Sequence, residues 1–243
     1  MLEILHEDNH IIVAVKPQNI PVMADASGDG DMLGMVKDYL KVKYNKPGNV
    51  YAGLVHRLDR PTGGVMVFAK TSKAAARLSE AIRGGEENGD FDTFDKRYYA
   101  VVVGAPREKN GTLINYLWKD EKTNNVSIVP QTTGGAKYAE LRYSVIEAVG
   151  PLSLTECVLV TGRSHQIRVQ LKSIGCPVFG DIRYGGDSLA GGHNLALWSY
   201  SLSFRHPVTK TMMVFRSLPP VTETPWKNFK MLEPHFNQLI INN

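Results

Sequence analysis

Two stretches of the chain crowd charged and polar groups against glycine in a way that core packing alone would not select. They are His56-Arg57-Leu58-Asp59-Arg60-Pro61-Thr62-Gly63-Gly64 and Thr161-Gly162-Arg163-Ser164-His165-Gln166-Ile167-Arg168-Val169. In the first, a carboxylate sits between two arginines, ahead of a proline and two glycines that can hold a tight, unusual turn. A neighbouring arginine keeps a carboxylate ionised, typically lowering its pKa by ~1–3 units, so Asp59 suits a nucleophile or an acid/base group. An isolated Asp-Arg pair more often serves a turn structurally, bonding its backbone, so Asp59 must be weighed with the whole string around it. In the second stretch, Arg163, His165 and Gln166 stand near the start of a helical pattern. There, side chains and unpaired backbone N–H groups can bind phosphate. An amphipathic helix alone would account for Ile167 and Leu171 but not for the polar run before them. Between the two lies Lys96-Arg97-Tyr98-Tyr99-Ala100. The ring of Tyr98 can stack on a base and its hydroxyl can handle a proton or hold a water, while Tyr99 should point to the other face of the strand and pack.

Strand and helix patterns place these groups. His10–Lys16 reads as a buried strand stopped by Pro17, and Val65–Ala69 as a short apolar strand after the Gly63-Gly64 turn. Apolar residues at Leu33, Val36, Tyr39 and Leu40 predict a helix over Asp31–Tyr44, ending before Pro47-Gly48. Thr71 or Ser72 caps a second helix through about Arg83, and Gly84–Asp92 reads as a polar, acidic loop. From Lys96 the texture turns to β: Tyr98–Val103, Ala136–Val149, Leu152–Val160, Asn194–Phe204 and Thr211–Arg216. Ser164–Ile174 interrupts them with a helix that turns Ile167, Leu171 and Ile174 inward, leaves Arg168 and Lys172 on a neighbouring face, and ends at Gly175. Strands followed by intermixed helices predict an α+β fold with a mainly antiparallel sheet.

Bulk properties narrow the choice of function. At 243 residues, 43% hydrophobic and 21% charged, the chain has the composition of an ordinary globular protein. No apolar run reaches the ~18–20 residues of a membrane span, and the start of the chain lacks the pattern of a signal peptide. Cys157 and Cys176 are too few and too far apart for a zinc site or a disulfide framework, so the chain reads as cytoplasmic. The net charge of +4 decides little by itself. Its distribution says more, because Arg57, Arg60, Lys70, Lys73, Arg163, Arg168 and Lys172 gather at the two stretches, whereas acid concentrates in Glu80–Asp95. That segregation suits a phosphate-bearing partner. Gly28-Asp29-Gly30 lacks the third glycine and preceding strand of a dinucleotide site, and Asp25…Asp29-Gly30 puts Val36 where a calcium loop needs glutamate. The seven histidines show no paired-ligand spacing, so no metal and no cofactor are expected.

Together the segments resemble those of the RluA-type pseudouridine synthases. HRLDRPTGG resembles HRLDxxTSG, with Gly63 where serine is usual; KRYYA resembles KxYxA; and TGRSHQIRVQL resembles TGRTHQIRVHL, with Ser164 and Gln170 as departures. Gly180-Asp181…Tyr184-Gly185, Glu7-Asp8…Lys16-Pro17 and Leu202–Pro207 resemble further family segments, while Leu197-Trp198-Ser199 departs from the usual Leu-His-Ala. The resemblance runs from about residue 3 to 220.

It implies a pseudouridine synthase-like fold, a mainly antiparallel mixed β-sheet flanked by helices, with one catalytic domain over 1–243 in two lobes around a central cleft. It also implies a monomer without the separate N-terminal RNA-binding domain of some relatives. The substrate would be ribosomal or transfer RNA, and the reaction the isomerisation of chosen uridines to pseudouridine. By the resemblance Asp59 is the catalytic aspartate, Tyr98 the active-site tyrosine and Arg168 the arginine that pairs with the aspartate. Val169 is the apolar contact on the base, and Arg57, Arg60, Thr62, Arg163, His165 and Gln166 bind RNA. Two other classes remain in view. One is a catalytically inactive RNA-binding protein or RNA chaperone on the same fold, which would not need Asp59, Tyr98 and Arg168 together. The other is an Asp-dependent glycoside-bond hydrolase, which would want a second carboxylate that neither motif supplies.

Overall fold

The computed structural model describes residues 2–88, 94–186 and 191–241. The chain forms two compact units, each built from separated segments: Met1–Asp95 with Ser199–Ser217, and Lys96–Trp198 with Leu218–Asn243. The fold is α+β, as the alternation of patterns predicts.

The first unit is organised by β2 (Ile11–Lys16) and β4 (Gly63–Ala69), which are buried along their whole lengths. Strands covered on both faces read as continuous apolar runs, and this is why both are visible in the sequence. They pair antiparallel, with Ile11 opposite Ala69 and Lys16 opposite Gly64. The second motif glycine is thereby set against the end of β2. β1 (Glu3–Glu7) pairs with the other edge of β2, β3 (Gly53–Leu54) pairs with β4, and β10 (Leu197–Arg205) lies next to β4 with β11 (Met212–Arg216) beyond it. Helix α1 (Met32–Lys43) starts where Asp31 accepts the Gly34 N–H at 3.0 Å and buries Met32, Val36 and Leu40. Helix α2 (Ser72–Asn88) is capped by the Thr71 hydroxyl, which accepts the Ala74 N–H at 3.2 Å. Its Ala74 and Leu78 pack with Ile11, Val13, Val65, Val67, Leu202 and Phe204.

α2 runs to Asn88, five residues past the expected end near Arg83, so Gly84–Asn88 is helical rather than loop. A helix already nucleated and capped propagates through two glycines at a cost of only ~1 kcal/mol each. The rest of the expected acidic loop, 89–92, lies outside the described residues.

Glu7 knits the edge of this unit. Its carboxylate accepts hydrogen bonds from Lys43 Nζ at 2.7 Å, Lys70 Nζ at 2.6 Å, the Tyr44 hydroxyl at 2.6 Å and the Tyr39 hydroxyl at 3.2 Å. Burial alone would raise its pKa, but bonds from Lys43, Lys70 and Tyr44 outweigh it and bring the carboxyl to about 2 from an ordinary 4.5. The unfolded chain therefore binds this proton more tightly than the folded one. The stabilisation is complete above pH 4.5 and is lost as pH falls from there toward 2. Glu7→Gln is expected to lower stability at pH 7 by about 2 kcal/mol and to flatten the loss of stability over that acid window. Urea unfolding of both proteins at a series of pH values checks this.

In the second unit the strands run in the order β5 (Phe94–Val103), β9 (Leu152–Leu159), β8 (Lys137–Val149), β6 (Asn110–Asp120) and β7 (Asn125–Val129), with every neighbouring pair antiparallel. Helix α3 (Gln166–Ser173), the short α4 (Ile182–Gly185) and α5 (Leu232–Ile241) complete it. On β5, Tyr99 is fully buried and its hydroxyl meets His235 Nδ1 of α5 at 2.8 Å. Strands β6 and β7 and helix α5 are not anticipated by the sequence patterns above. No described helix is long and apolar enough to cross a membrane.

Candidate active site

The Asp59 turn is fixed at each successive carbonyl. The Thr62 N–H donates to the Asp59 carbonyl at 2.9 Å, closing the turn. Lys16 Nζ donates to the Arg60 carbonyl at 3.0 Å and to the Pro17 carbonyl at 2.8 Å, and Gln18 Nε2 donates to the Pro61 carbonyl at 3.2 Å. Upstream, His56 Nε2 accepts the Val67 N–H at 3.1 Å, its ring lies edge-on to Phe94, and Leu58 is buried. Downstream, Gly64 has φ +118°, and a Cβ there would lie 2.2 Å from the Ser199 carbonyl oxygen, so no other residue fits. Asp59 itself is half-buried, between an exposed Arg57 and an exposed Arg60.

Lys16 is completely buried. Burial pushes its ammonium down to about 7 from an ordinary 10.5; the Asp59 carboxylate pulls the other way and the Arg60 guanidinium adds to the lowering.

Arg60 is tied to the loop that precedes α1, and Thr62 is turned inward. Arg60 Nε donates to the Asn19 carbonyl at 3.1 Å, and Nη1 reaches the Ser27 hydroxyl at 3.1 Å and Asp25 at 3.4 Å. Its Nη2 pairs with Asp29. The aspartates that resemble half a calcium loop thus hold an arginine. Thr62 is buried, and among the described residues its hydroxyl has no hydrogen-bond partner. Lys70, counted among the phosphate-seeking cations, is taken up by Glu7 and by the Asp8 carbonyl at 2.5 Å.

In the second unit, α3 is buried on nearly every side, from Gln166 through Leu171. This corrects the expected amphipathic arrangement: Lys172 is exposed, but Arg168 is turned inward and is only 5% accessible. A buried guanidinium needs a carboxylate. Asp181 supplies it in a two-pronged pair, Nε to Oδ2 and Nη2 to Oδ1, both at 2.8 Å. The same Oδ1 accepts the backbone N–H groups of Arg183 and Tyr184, capping α4. Gly180 sets up this carboxylate with φ +76°, pressed so close to the Asn194 carbonyl that a Cβ would lie 2.2 Å away.

Tyr184 then links the pieces. Its ring lies 5.0 Å from the Arg168 guanidinium carbon, and its hydroxyl accepts the Val126 N–H at 3.0 Å and meets His165 Nδ1 at 2.6 Å. Arg183 Nη1 donates to the carbonyls of Thr123 and Asn124 and to Asn125 Oδ1, pinning the β6–β7 turn. His165 sits at φ +52°, a left-handed conformation that strains a residue carrying a Cβ. Val169 packs with Leu117, Val126, Ala139 and Tyr184.

Gln166 is turned inward as well. It is 2% exposed, and its amide is consumed by the protein itself. Oε1 accepts the Thr161 hydroxyl and the Arg163 N–H, both at 2.9 Å, and Nε2 donates to the Glu140 carbonyl at 2.9 Å. Its role is to shape the Thr161–His165 loop. Arg163, half-buried, donates from Nε to the Tyr138 carbonyl at 2.9 Å. Gln170, at the position where the family pattern has histidine, spends its Nε2 on the Leu113 carbonyl and Asn115 Oδ1.

The structure thus places Arg57, Asp59, Arg60 and Thr62 on one turn of the first unit, and Tyr98, Arg163, His165, Gln166, Arg168 and Val169 in the second. Tyr98 is 5% exposed on β5, opposite Cys157 of β9. Sequence reasoning gave no role to Lys16, Asp181 or Tyr184, although each lies in a quoted segment; the signal was a lysine ending an apolar strand and an aspartate following a glycine. Among the described residues, no group of three or more histidine, cysteine, aspartate or glutamate side chains is arranged to hold a metal ion.

Comparison with known proteins identifies the family. Residues 10–173 match the family described as RNA pseudouridylate synthase, a span that contains both motif stretches. The chain is 31% identical over 221 residues to the uncharacterized RNA pseudouridine synthase YlyB of Bacillus subtilis, covering 90% of this chain and 69% of that protein. It is 31% identical over 216 residues to ribosomal large subunit pseudouridine synthase C of Vibrio vulnificus, covering 86% and 63%. With ribosomal large subunit pseudouridine synthase D of Zymomonas mobilis it shares 31% over 229 residues, covering 90% and 69%. Among solved structures, human RNA pseudouridylate synthase domain containing 4 superposes with a TM-score of 0.73 at 23% identity, over 90% of this chain and 88% of that one. This last likeness shows a shared fold. The chain belongs to the RNA pseudouridylate synthase family, in its RluA-type branch, and is an isomerase.

Proposed function

We propose that the chain isomerises chosen uridines in ribosomal RNA, with Asp59 as the catalytic carboxylate, acting in the cytoplasm as a monomer. The observation that carries the reading is the Asp59 turn: the carbonyls of residues 59, 60 and 61 are each tied down, while the carboxylate is left half-buried between two exposed arginines. A purely structural aspartate does not call for so rigid a mount.

In the proposed reaction, the target uridine leaves its stack at a cost of a few kcal/mol. Stacking on Tyr98 and contact with Val169 return ~1–3 kcal/mol. Asp59 acts at the glycosidic bond, by adding to the sugar or base or by removing a sugar proton. The C1′–N1 bond breaks, the base turns while held, and a C1′–C5 bond forms. The C5 proton is then lost, with Tyr98 or a water assisting, and N1 gains one. The change is redox-neutral and calls for no cofactor or metal. Arg168, oriented by Asp181, supplies positive charge for Asp59, and Arg57, Arg163 and His165 contact the RNA backbone. The orphaned hydroxyl of Thr62 is a cost of ~1–3 kcal/mol that a substrate group would remove.

The names of relatives C and D favour large-subunit ribosomal RNA as substrate. Purified protein incubated with unmodified transcripts of ribosomal and transfer RNA, followed by carbodiimide treatment and primer extension, tests this. Stops at a few defined uridines of the ribosomal transcripts are expected. Stops confined to transfer RNA would reassign the substrate, and stops in neither would overturn the reading.

A further inference from the structure

We propose that the outward face of β6 and β8 is a docking surface for single-stranded RNA that flanks the target uridine. The proposal rests on RNA as the substrate and adds a second place at which the chain holds it. Residues directly opposite one another in a sheet share a face. Tyr98 is paired with Cys157, Cys157 with Tyr143 and Tyr143 with Gly111, so the odd-numbered residues of β6 share the face of Tyr98. Ile114, Tyr116 and Trp118 therefore lie on the reverse. At the β5 end of that reverse face, α5 covers Tyr99 through His235. At the β6 end the side chains stand open to water: Ile114 is 56% exposed, Trp118 38% and Tyr138 of β8 39%. β7 is the edge of the sheet here, so an RNA strand on the face of Tyr98 reaches the reverse by turning round one edge.

Single exposed aromatics are ordinary, but these form a row. Tyr116 and Tyr138 stand opposite each other with ring centroids 6.0 Å apart, and Trp118 follows two residues along β6. A tyrosine pair can be explained as cross-strand stabilisation of the sheet. That leaves Trp118 opposite Ser127 and Ile114 opposite Glu140, where neither gains an aromatic partner. Successive outward side chains on a strand are about 6.8 Å apart, so each ring offers a separate platform for a base. Every base has a π-face, which lets such a row take a single strand with little regard to its sequence. Charge favours the same occupant. Arg142, 54% exposed, ends the row opposite Thr112, and Lys137 brings a further exposed cation next to Tyr138. Glu140 between them is engaged by the Tyr138 hydroxyl at 2.7 Å and by Arg142 at 3.6 Å.

Trp198 and Trp226 are buried, so the fluorescence of Trp118 is the signal that a ligand on this face would change. An oligouridylate of about twelve nucleotides, titrated into the full chain at about 50 mM salt, should quench that fluorescence to saturation. Trp118→Phe should abolish the quenching yet keep the affinity within about threefold, read by anisotropy of the labelled oligonucleotide, because phenylalanine still stacks. Tyr138→Ala should weaken binding ~5–100-fold. Arg142→Glu should weaken it about tenfold and flatten the slope of log affinity against log salt by about 0.7. Circular dichroism confirms that the variants are folded, and if Tyr138→Ala is not, Arg142→Glu decides. Absence of quenching in the wild type overturns the proposal, as does an affinity within about twofold of wild type in the folded variants. Self-association of the wild type in sedimentation, abolished by Ile114→Glu and unaccompanied by quenching, would give the face to a second copy of the chain and overturn it equally. The titration reads binding without turnover. An inactive chain whose Trp118 is still quenched therefore removes the catalytic reading of Asp59 and keeps this surface, and an active chain without quenching does the reverse.

Discussion

Asp59→Asn abolishes pseudouridine formation, with a fall of at least ~10⁴-fold in the single-turnover rate, while RNA affinity stays within about threefold. The amide keeps the size of the carboxylate and its place on the turn. That turn is built from backbone carbonyls and the Lys16 and Gln18 donors, and the amide leaves each of those hydrogen bonds in place. What is lost is the negative charge and basicity needed at the glycosidic bond. Binding depends on the many cations and stacking groups elsewhere, so it should scarcely change. Rate and affinity measured on one preparation, by rapid quench and by filter binding, must part company. A parallel loss of both would mean that Asp59 holds the fold or the RNA instead.

Arg168→Met is expected to cost ~3–5 kcal/mol of stability and most of the activity. Asp181 is fully buried, and its carboxylate has been matched to this guanidinium through two bonds of 2.8 Å. Without the arginine, the carboxylate keeps the N–H groups of Arg183 and Tyr184 but loses its counter-charge. For a chain of this size the melting temperature should fall by roughly 6–20 °C. Replacing both partners, Arg168→Met with Asp181→Leu, should restore part of that stability, because two apolar groups leave no orphaned charge. Activity should stay lost in the double variant. Denaturant unfolding of the single and double variants checks this, and simple additivity would contradict the pairing. The apolar contacts of Val169 with Leu117, Val126, Ala139 and Tyr184 remain as a floor that keeps the singles folded.

What was legible in the sequence follows from which forces act locally. β2 and β4 announce themselves because both faces are buried, and α1 because Asp31, Met32, Val36 and Leu40 obey helical spacing behind a cap. β6 hides because it begins with Asn110-Gly111 and carries Ile114 and Trp118 on an exposed face, so apolar residues do not mark its inside. α3 is found, but its surroundings are not: a helix enclosed by β6, β7 and β8 buries Arg168 and Gln170 as well as its apolar stripe. The reactive residue types were readable at Asp59, Tyr98 and Arg168, since their motifs are local strings. Their partners were not. Lys16 reaches the Asp59 turn only through the register of β2 on β4, Asp181 reaches Arg168 only through the turn at Gly180, and Asp25 and Asp29 reach Arg60 only through a loop that sequence gives no reason to fold back.

The most direct test of the central claim is tritium release from [5-³H]uridine-labelled ribosomal RNA by the purified chain, with Asp59→Asn alongside. Joining the base to the sugar through C5 must expel that hydrogen into water, whichever route Asp59 takes. The account predicts release by the wild-type chain in proportion to the pseudouridine formed, and none above the enzyme-free rate from the variant. Equal release by the two proteins would contradict it.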